Sequence, residues 1–482
     1  MTLPPVKFDF QRAARAEMAR EGFQPDFPPR VLDEVQSFAA APTQNGAGRD
    51  LRGILWSSID NTESRDLDQV EWAERLPDGT IRVLVGIADV DAVVGRASAT
   101  DVQARANATS VYTGGPVFPM LPERLSTDVT SLGPDVDRRA LVMQVVVGQD
   151  GAVACADVQT AVVRNQARLN YDQVAAWLQT SAASAPPALR EQLLLQEEAS
   201  RRLKAFRKEH GALTLGGVEN IPIVVNNTVE GFAAETENPA RDIIESFMIA
   251  ANVAMARFLR ARNSLCLRRV VRTPKRWDRI QALAAPLGAK LPDAPDPKAL
   301  DEFLARRKQT DPDHFPELSL AVLKSLGPGE YVVEHPGAEH EGHFGLAVND
   351  YTHSTAPNRR YADLVMQRLL KASLQQGSVP YTESELSELA AHCTEREAAA
   401  RHVERFMKKV AAALMLAPQV GRSFDALVTG ASTKGTFARL LSVPAEGRIL
   451  RGERGLDVGE RVRVRLAGVD AARGFIDLEA AP

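Results

Sequence analysis

The sequence predicts an α+β, multidomain chain with a small helical start, a mixed α/β body of catalytic size and an OB-type β-barrel tail. Three observations carry the prediction. At 482 residues the chain is too long for a single hydrophobic core, and its length suggests about three units. Its middle passes from alternating or wholly apolar runs to segments of 3.6-residue periodicity, as strands and then helices require. Its last 62 residues return to short strands separated by turns.

The boundaries follow in order. Residues 1–48 hold two helical patterns, Phe10 to Arg20 and Pro29 to Ala40, separated by the turn-rich Glu21-Gly22-Phe23-Gln24-Pro25. Such a pair suits a helix-turn-helix, and equally a packed helical appendage. A polar, glycine-bearing linker from Ala41 to Gly48 ends it. The body spans residues 49–418. It opens with strands at Ile81 to Ile87 and Leu141 to Val147, followed by helices at Tyr171 to Leu178, Leu189 to Glu209, Pro239 to Arg260 and Arg359 to Lys371. Strands are expected again at Asn220 to Val225 and His343 to Val348, and Thr382 with Glu385 forms a capping box before a long helix to Leu416. The tail, residues 421–482, has strand patterns at Ser423 to Gly430, Gly435 to Leu440 and Arg461 to Leu466, which suit a five-stranded barrel.

Composition narrows the function classes. The 44% hydrophobic and 25% charged content is that of ordinary globular protein. Neither the first residues nor the longest apolar stretch, Val410 to Ala417, has the length of a signal or spanning segment, so no membrane is expected. Cys155, Cys266 and Cys393 are odd in number, far apart and without zinc spacing, and read as buried reduced thiols of a cytoplasmic protein. The net charge of −4 excludes a protein coated in basic residues for duplex binding. The tail alone is basic, with ten Arg or Lys against eight Asp or Glu, which leaves −6 for the rest.

The chemistry concentrates in Ser58-Ile59-Asp60-Asn61-Thr62-Glu63-Ser64-Arg65-Asp66-Leu67-Asp68-Gln69. Three aspartates this close repel one another and raise each other's pKa unless a divalent cation or several backbone donors compensate. An acidic surface loop making turns and caps fits the same spacing.

Asp60, Asp66 and Asp68, followed by Gly86-Ile87-Ala88-Asp89-Val90, resemble the signature of the ribonuclease II family catalytic (RNB) domain. The resemblance continues in order through Thr109-Ser110-Val111-Tyr112, Pro119 to Ser126, Ser131 to Arg138, Val163 to Tyr171, Ile244 to Asn252 and Ser354 to Asp363. It covers about residues 50 to 418, and the tail is similar to an S1-type RNA-binding domain. The family implies hydrolytic, processive 3′-to-5′ degradation of single-stranded RNA to nucleoside 5′-monophosphates in a channel containing Mg2+. That chemistry needs metal charge on the phosphate oxygens, a positioned hydroxide and a stabilised leaving oxygen.

By resemblance Asp60, Asp66 and Asp68 bind metal or orient the water, and Asp68 is the most sensitive of them. Arg359 stands where the family places an arginine on the scissile phosphate, a fork that can clamp two oxygens. Pairing with Asp363 one turn on is its structural alternative. Tyr112 matches a tyrosine that stacks on a base near the 3′ end. Glu245 and Glu404 match glutamates that contact the terminal sugars or brace the pocket, and a carboxylate suits a 2′-hydroxyl. In the tail, Lys434, Phe437 and Arg439 offer a ring-plus-cation surface for RNA, with Phe424 as either a surface or a core ring.

Three departures from the family stand out. Gln69 occupies the place of a usual fourth aspartate; its amide can ligate Mg2+ without adding charge, so one ion is expected to be held firmly and a second weakly unless Glu63, Asp89 or a water network compensates. Gly211 to Gly217 lacks the second ring of the family's base clamp, and the first 48 residues cannot hold the two cold-shock barrels common in the family. The expected partner is single-stranded RNA, bound by a monomer. Two rival readings remain: a catalytically weak or inactive RNA-binding protein on the same scaffold, and a metal phosphodiesterase acting on other nucleotides.

Overall fold

The fold was analysed in a computed structural model, which describes residues 8–38, 48–215, 220–234, 237–312, 314–335, 337, 341–432 and 435–480. Helices α1 (Phe10–Arg20) and α2 (Pro29–Ser37) come first. Asp9 caps α1 by accepting a hydrogen bond from the Arg12 amide, and Pro29 opens α2 where its missing N–H costs nothing. Phe10, Ala14 and Met18 pack against Val403 and Met407 far along the chain, so α1 shares a core with the body.

The body is built on strands β1 (Arg49–Asp50), β2 (Trp56–Asp60), β3 (Gln69–Arg75) and β4 (Ile81–Ala88). Helix α3 (Ala99–Asn107) and the small ribbon of β5 (Val111–Tyr112) and β6 (Val117–Phe118) follow, then β7 (Asp137–Val147) and the 18-residue β8 (Val153–Asn170). The sheet runs β1-β8-β2-β3-β4-β7, and β7 also pairs with β8, which closes it into a ring. Strand β4 is apolar almost throughout because both its faces are buried, and a Cβ on Gly86 would stand only 3.0 Å from a Val70 methyl.

Helices α4 (Tyr171–Gln179), α5 (Pro187–Glu209) and, after the hairpin β9 (Asn220–Val225) and β10 (Thr228–Ala234), α6 (Pro239–Ala261) cover the sheet. Strand β11 (Cys266–Val270) leads to a helical cluster of α7 (Trp277–Ala284), α8 (Pro297–Thr310) and α9 (Phe315–Leu326), then β12 (Glu330–Glu334), α10 (Tyr361–Leu374) and α11 (Glu383–Leu416). The Thr382–Glu385 capping box is present at the start of α11. The strand expected at His343 to Val348 is a 3-10 turn over Phe344–Leu346, bracketed by a His343–Val348 bridge, because His343 Nδ1 accepts from the Leu346 amide and turns the chain locally. Helix α10 begins two residues later than its periodicity suggests, since the Ser354–Arg360 segment is spent on the turn that carries the site.

Strands β13 (Ser423–Ser432), β14 (Gly435–Leu440), β15 (Glu446–Arg451), β16 (Arg461–Asp470) and β17 (Phe475–Ala480) form a closed barrel in the order β13-β14-β15-β17-β16. Ala412, Ala413 and Leu416 at the end of α11 enter the barrel's core cluster, which fixes the tail to the body. Cys266 and Cys393 are buried and free, and the side chain of Cys155 lies outside the described residues. No helix among the described residues is long and apolar enough to cross a membrane.

Candidate active site

The acidic segment is the turn between β2 and β3, pinned from several sides. Ser131 Oγ accepts from the Leu67 amide at 3.1 Å and donates to the Arg65 carbonyl at 2.8 Å. Arg168 donates to the carbonyls of Thr62 and Ser64, and the Asp68 carbonyl accepts from the Ala88 amide. Asp60 closes β2 and accepts from the Asn61 amide at 2.7 Å and from Ser64 Oγ at 2.8 Å.

Opposite lies the turn before α10. Its Ser354 amide and hydroxyl both donate to Asn252 of α6 at 2.9 Å, and its Ala356 amide donates to Asp363 at 2.8 Å. The amides of Arg359 and Arg360 return to the Ala356 carbonyl. The two turns meet at Asp68, which is fully buried. One carboxylate oxygen accepts from Asn358 Nδ2 at 2.9 Å and the other from Arg359 Nε at 3.0 Å. Asn358 is itself held by Thr130, whose hydroxyl donates to its side-chain carbonyl at 2.7 Å. Arg360, the other arginine of the pair, takes the structural partner proposed for its neighbour and forms a two-pronged ion pair with Asp363. Arg359 therefore points into the site.

Two cavities open on this wall, and Ala356, Arg359 and Arg360 line both. The larger, about 480 Å3, brings together Asp60, Gln69, Tyr171, Arg241 and Glu245. The smaller, about 300 Å3, contains Tyr112, His353, Glu397, Arg401 and Glu404. Tyr112 is 44% exposed, and its amide donates to a Glu404 carboxylate oxygen at 3.1 Å, so Glu404 braces the segment that carries it. Glu245 is exposed on α6, near enough to Arg207 to favour that arginine's charge.

Burial pushes the Asp68 carboxyl up to about 6 against the pull of Arg359, and it also raises Asp66, with Asp60 adding to the effect. Burial works against the charge on Arg359, but Asp68, Tyr112 and Asp66 outweigh it and hold the guanidinium firmly protonated. Glu71, two residues past Gln69, is wholly buried with no hydrogen-bond partner on either oxygen; burial first and Asp60 second raise it well above the usual carboxylate range. Burial likewise holds His353 well below the usual imidazole range, and its Nδ1 lies 2.7 Å from the Tyr331 hydroxyl.

The donor set fits one hard divalent cation. Asp60 faces the larger cavity, and Asp66 and Asp68, both raised chiefly by burial, are carboxylates whose charged form a bound cation would favour. The carboxylates of Asp60, Asp66 and Asp68 are not gathered within 4.8 Å of one another, and both Asp68 oxygens are already engaged. Such a site suits Mg2+, which takes one or two carboxylates and fills its shell with water and phosphate. Gln69 lines the same cavity at 4% exposure. Asp89 does not stand in for the missing aspartate: it lies 2.6 Å from Lys371 and caps a 3-10 turn, while Glu63 is exposed.

The tail residues are placed differently. Phe424 belongs to the barrel core at 9% exposure, and Phe437 is half-buried on β14. Arg439 is ion-paired with Glu317 of α9, tying the barrel to the body, and Lys434 lies outside the described residues. Sequence reasoning passed over Asn358, Thr130, Ser131, Arg241 and Glu71. Asn358 and Ser131 stood in motifs whose other residues drew the attention; Thr130, Arg241 and Glu71 carry no spacing that marks them, because their roles arise across the fold.

Fold and site together define an α/β nuclease-type body with an acidic, arginine-walled cleft, joined to an OB-type barrel. The RNB domain model matches residues 48–376 and the RNase II-type exonuclease C-terminal S1 domain model matches residues 422–481, and the chain belongs to the RNB-domain family. It is 29% identical over 496 residues to ribonuclease R 1 of Lactococcus lactis, covering 95% of this chain and 59% of that one. With ribonuclease R of Escherichia coli it shares 30% identity over 431 residues, 85% of this chain and 52% of the other. The chain thus spans little more than half the length of these curated relatives. The fold is similar to that of Mycoplasma genitalium RNase R in complex with ribose-methylated single-stranded RNA, with TM-score 0.89 and 23% identity over 98% of this chain and 78% of that one. It is also similar to yeast Ssd1, a pseudonuclease, with TM-score 0.74 and 16% identity over 96% and 59% of the two chains. The fold alone therefore does not decide activity.

Proposed function

We propose that this chain is a Mg2+-dependent exoribonuclease that degrades single-stranded RNA processively from its 3′ end and releases nucleoside 5′-monophosphates, acting as a cytoplasmic monomer. The observation that carries the reading is the Asp68–Arg359 pair. A buried carboxylate holds one edge of the Arg359 guanidinium, and the arginine side chain, 39% exposed, lines both cavities. A bare carboxylate cleft would repel a phosphodiester; an arginine fixed in its wall gives the phosphate a bidentate partner.

When bound, Mg2+ supplies positive charge to the phosphate and lowers the pKa of attacking water. Asp60 and Asp66 would hold the ion. Asp68 keeps Arg359 aimed and, with Asn358, fixes the turn that carries it. Tyr112 stacks on a base near the 3′ end, positioned by Glu404 beneath its backbone. Glu245, at the mouth of the larger cavity, reads a ribose hydroxyl. Phe437, Lys434 and Arg439 supply the RNA contacts of the tail, Arg439 by exchanging Glu317 for a phosphate.

The scaffold is also that of a pseudonuclease, and Gln69 weakens the metal site, so the competing reading is an RNA-binding protein without turnover. Incubating 3′-labelled single-stranded RNA with the protein and Mg2+ should release labelled mononucleotide, abolished by EDTA and by Asp68→Asn with RNA binding retained. No mononucleotide under any divalent metal would establish the binding protein instead.

A further inference from the structure

A cavity of about 340 Å3 lies away from the acidic cleft, where α1, α11 and the turn between β16 and β17 meet. Arg20, Arg405, Lys409 and Arg473 line it together with the rings of Phe406 and Phe475. His402, Arg405, Phe406 and Lys409 recur at helical spacing and so share one flank of α11. At about 100° per residue that flank lies roughly 150° round the helix from Glu404, so α11 separates this seam from the smaller active-site cavity.

The nearby acids are already used. Arg20 is paired with Glu17 and Glu21, and the His402 ring lies 3.0 Å from Glu21. Arg473 is 73% exposed, with Asp470 at 3.8 Å. Arg405 and Lys409 are exposed and have no ion-pair partner among the described residues. Phe475 is 56% exposed beside them. The wall is close-fitting: a Cβ on Gly474 would stand 2.9 Å from Lys409 Cβ and 3.4 Å from its backbone, so this glycine lets the barrel turn sit directly on α11.

Arg405 and Lys409, without ion pairs among the described residues, beside an exposed ring on a chain of net charge −4, match a strand that offers phosphates and unstacked bases together. We infer that this seam is a second grip for single-stranded RNA, taking backbone phosphates on Arg405, Lys409 and Arg473 and stacking a base on Phe475, and that it holds a part of the strand outside the channel. The inference rests on the RNA-degrading reading for the choice of ligand. A strand long enough to pass round α11 uses the seam, and one that only fills the channel does not.

The test is fluorescence anisotropy on the full chain carrying Asp68→Asn, with RNA probes of roughly 5 and roughly 30 nucleotides, the first near the lower end and the second well above the roughly 4–16 nucleotides that one single-strand site takes. Arg405→Glu with Lys409→Glu is expected to weaken the longer probe about 10-fold or more and to flatten its log–log salt slope by about 1.4, two phosphate contacts' worth. Phe475→Ala, at an exposed ring that no core needs, is expected to cost about 5-fold. The shorter probe should bind all variants alike. Less than about 2-fold change for the longer probe in both variants overturns the grip. Mononucleotide release from the shorter probe by the chain with Asp68 intact is measured in parallel. Its absence refutes the exoribonuclease reading, while a loss confined to the longer probe still establishes the seam.

Discussion

Asp68 combines two demands that conflict: it lies out of water, and it must stay ionised to hold Arg359. Burial wins part of that contest and lifts its pKa to about 6, whereas an aspartate in an unfolded chain titrates near about 3.9. As pH rises from about 4 to 6 the unfolded chain therefore releases this proton first, and the folded state loses relative stability across that window. Asn at this position does not titrate. In EDTA-treated protein the melting temperature of Asp68→Asn, relative to the parent, is expected to climb between pH 4 and 6, and a constant difference would contradict the assignment. Gln69 lines the cavity that Asp60 faces. Gln69→Asp is expected to lower the Mg2+ concentration for half-maximal activity, read from titrations of mononucleotide release; an unchanged response would place Gln69 away from the metal. The aspartates and Arg359 were legible because their spacing follows a motif. Glu71 was not, since nothing in Gln69-Val70-Glu71-Trp72 distinguishes a carboxylate buried without partners from one in water.

At the level of elements, the site depends on two turns and one long helix. The β2–β3 turn and the turn before α10 are far apart in sequence and become one surface through Asp68, Asn358 and Arg359. Helix α11 is set by its start. The Thr382 hydroxyl accepts from the Glu385 amide, and the Glu385 carboxylate accepts from the Thr382 amide at 2.7 Å. Thr382→Ala is expected to cost about 1 kcal/mol, measured as a shift in the denaturant midpoint at unchanged slope. That cap, like the periodicity of the helices and the apolar run of β4, could be read directly because each signal is local. The expected strand at His343 to Val348 failed for the converse reason: its alternation is overridden by the His343 side chain, which accepts from the Leu346 amide and closes a turn.

Across the whole molecule, α11 is the shared beam. Its middle packs against α1 and its end enters the barrel core through Ala412, Ala413 and Leu416. Leu416 is fully buried there, so Leu416→Ala is expected to cost about 2–5 kcal/mol. Hydrogen exchange should quicken together in β13, β16 and the last turns of α11; loosening confined to α11 would show that the barrel is not seated through it. The sequence by itself determined the fold class, the longer helices, several of the strands, and the aspartate and arginine types at the site, because period, caps and motif spacing act over a few residues. Only the tertiary structure decided that Asp68 holds Arg359 while Asp363 holds Arg360, that Asp89 is occupied by Lys371 and Arg439 by Glu317, and that Arg405, Lys409 and Phe475 meet at one seam. Those outcomes depend on which distant groups reach a buried charge first, and pairing across hundreds of residues leaves no periodic mark in the chain.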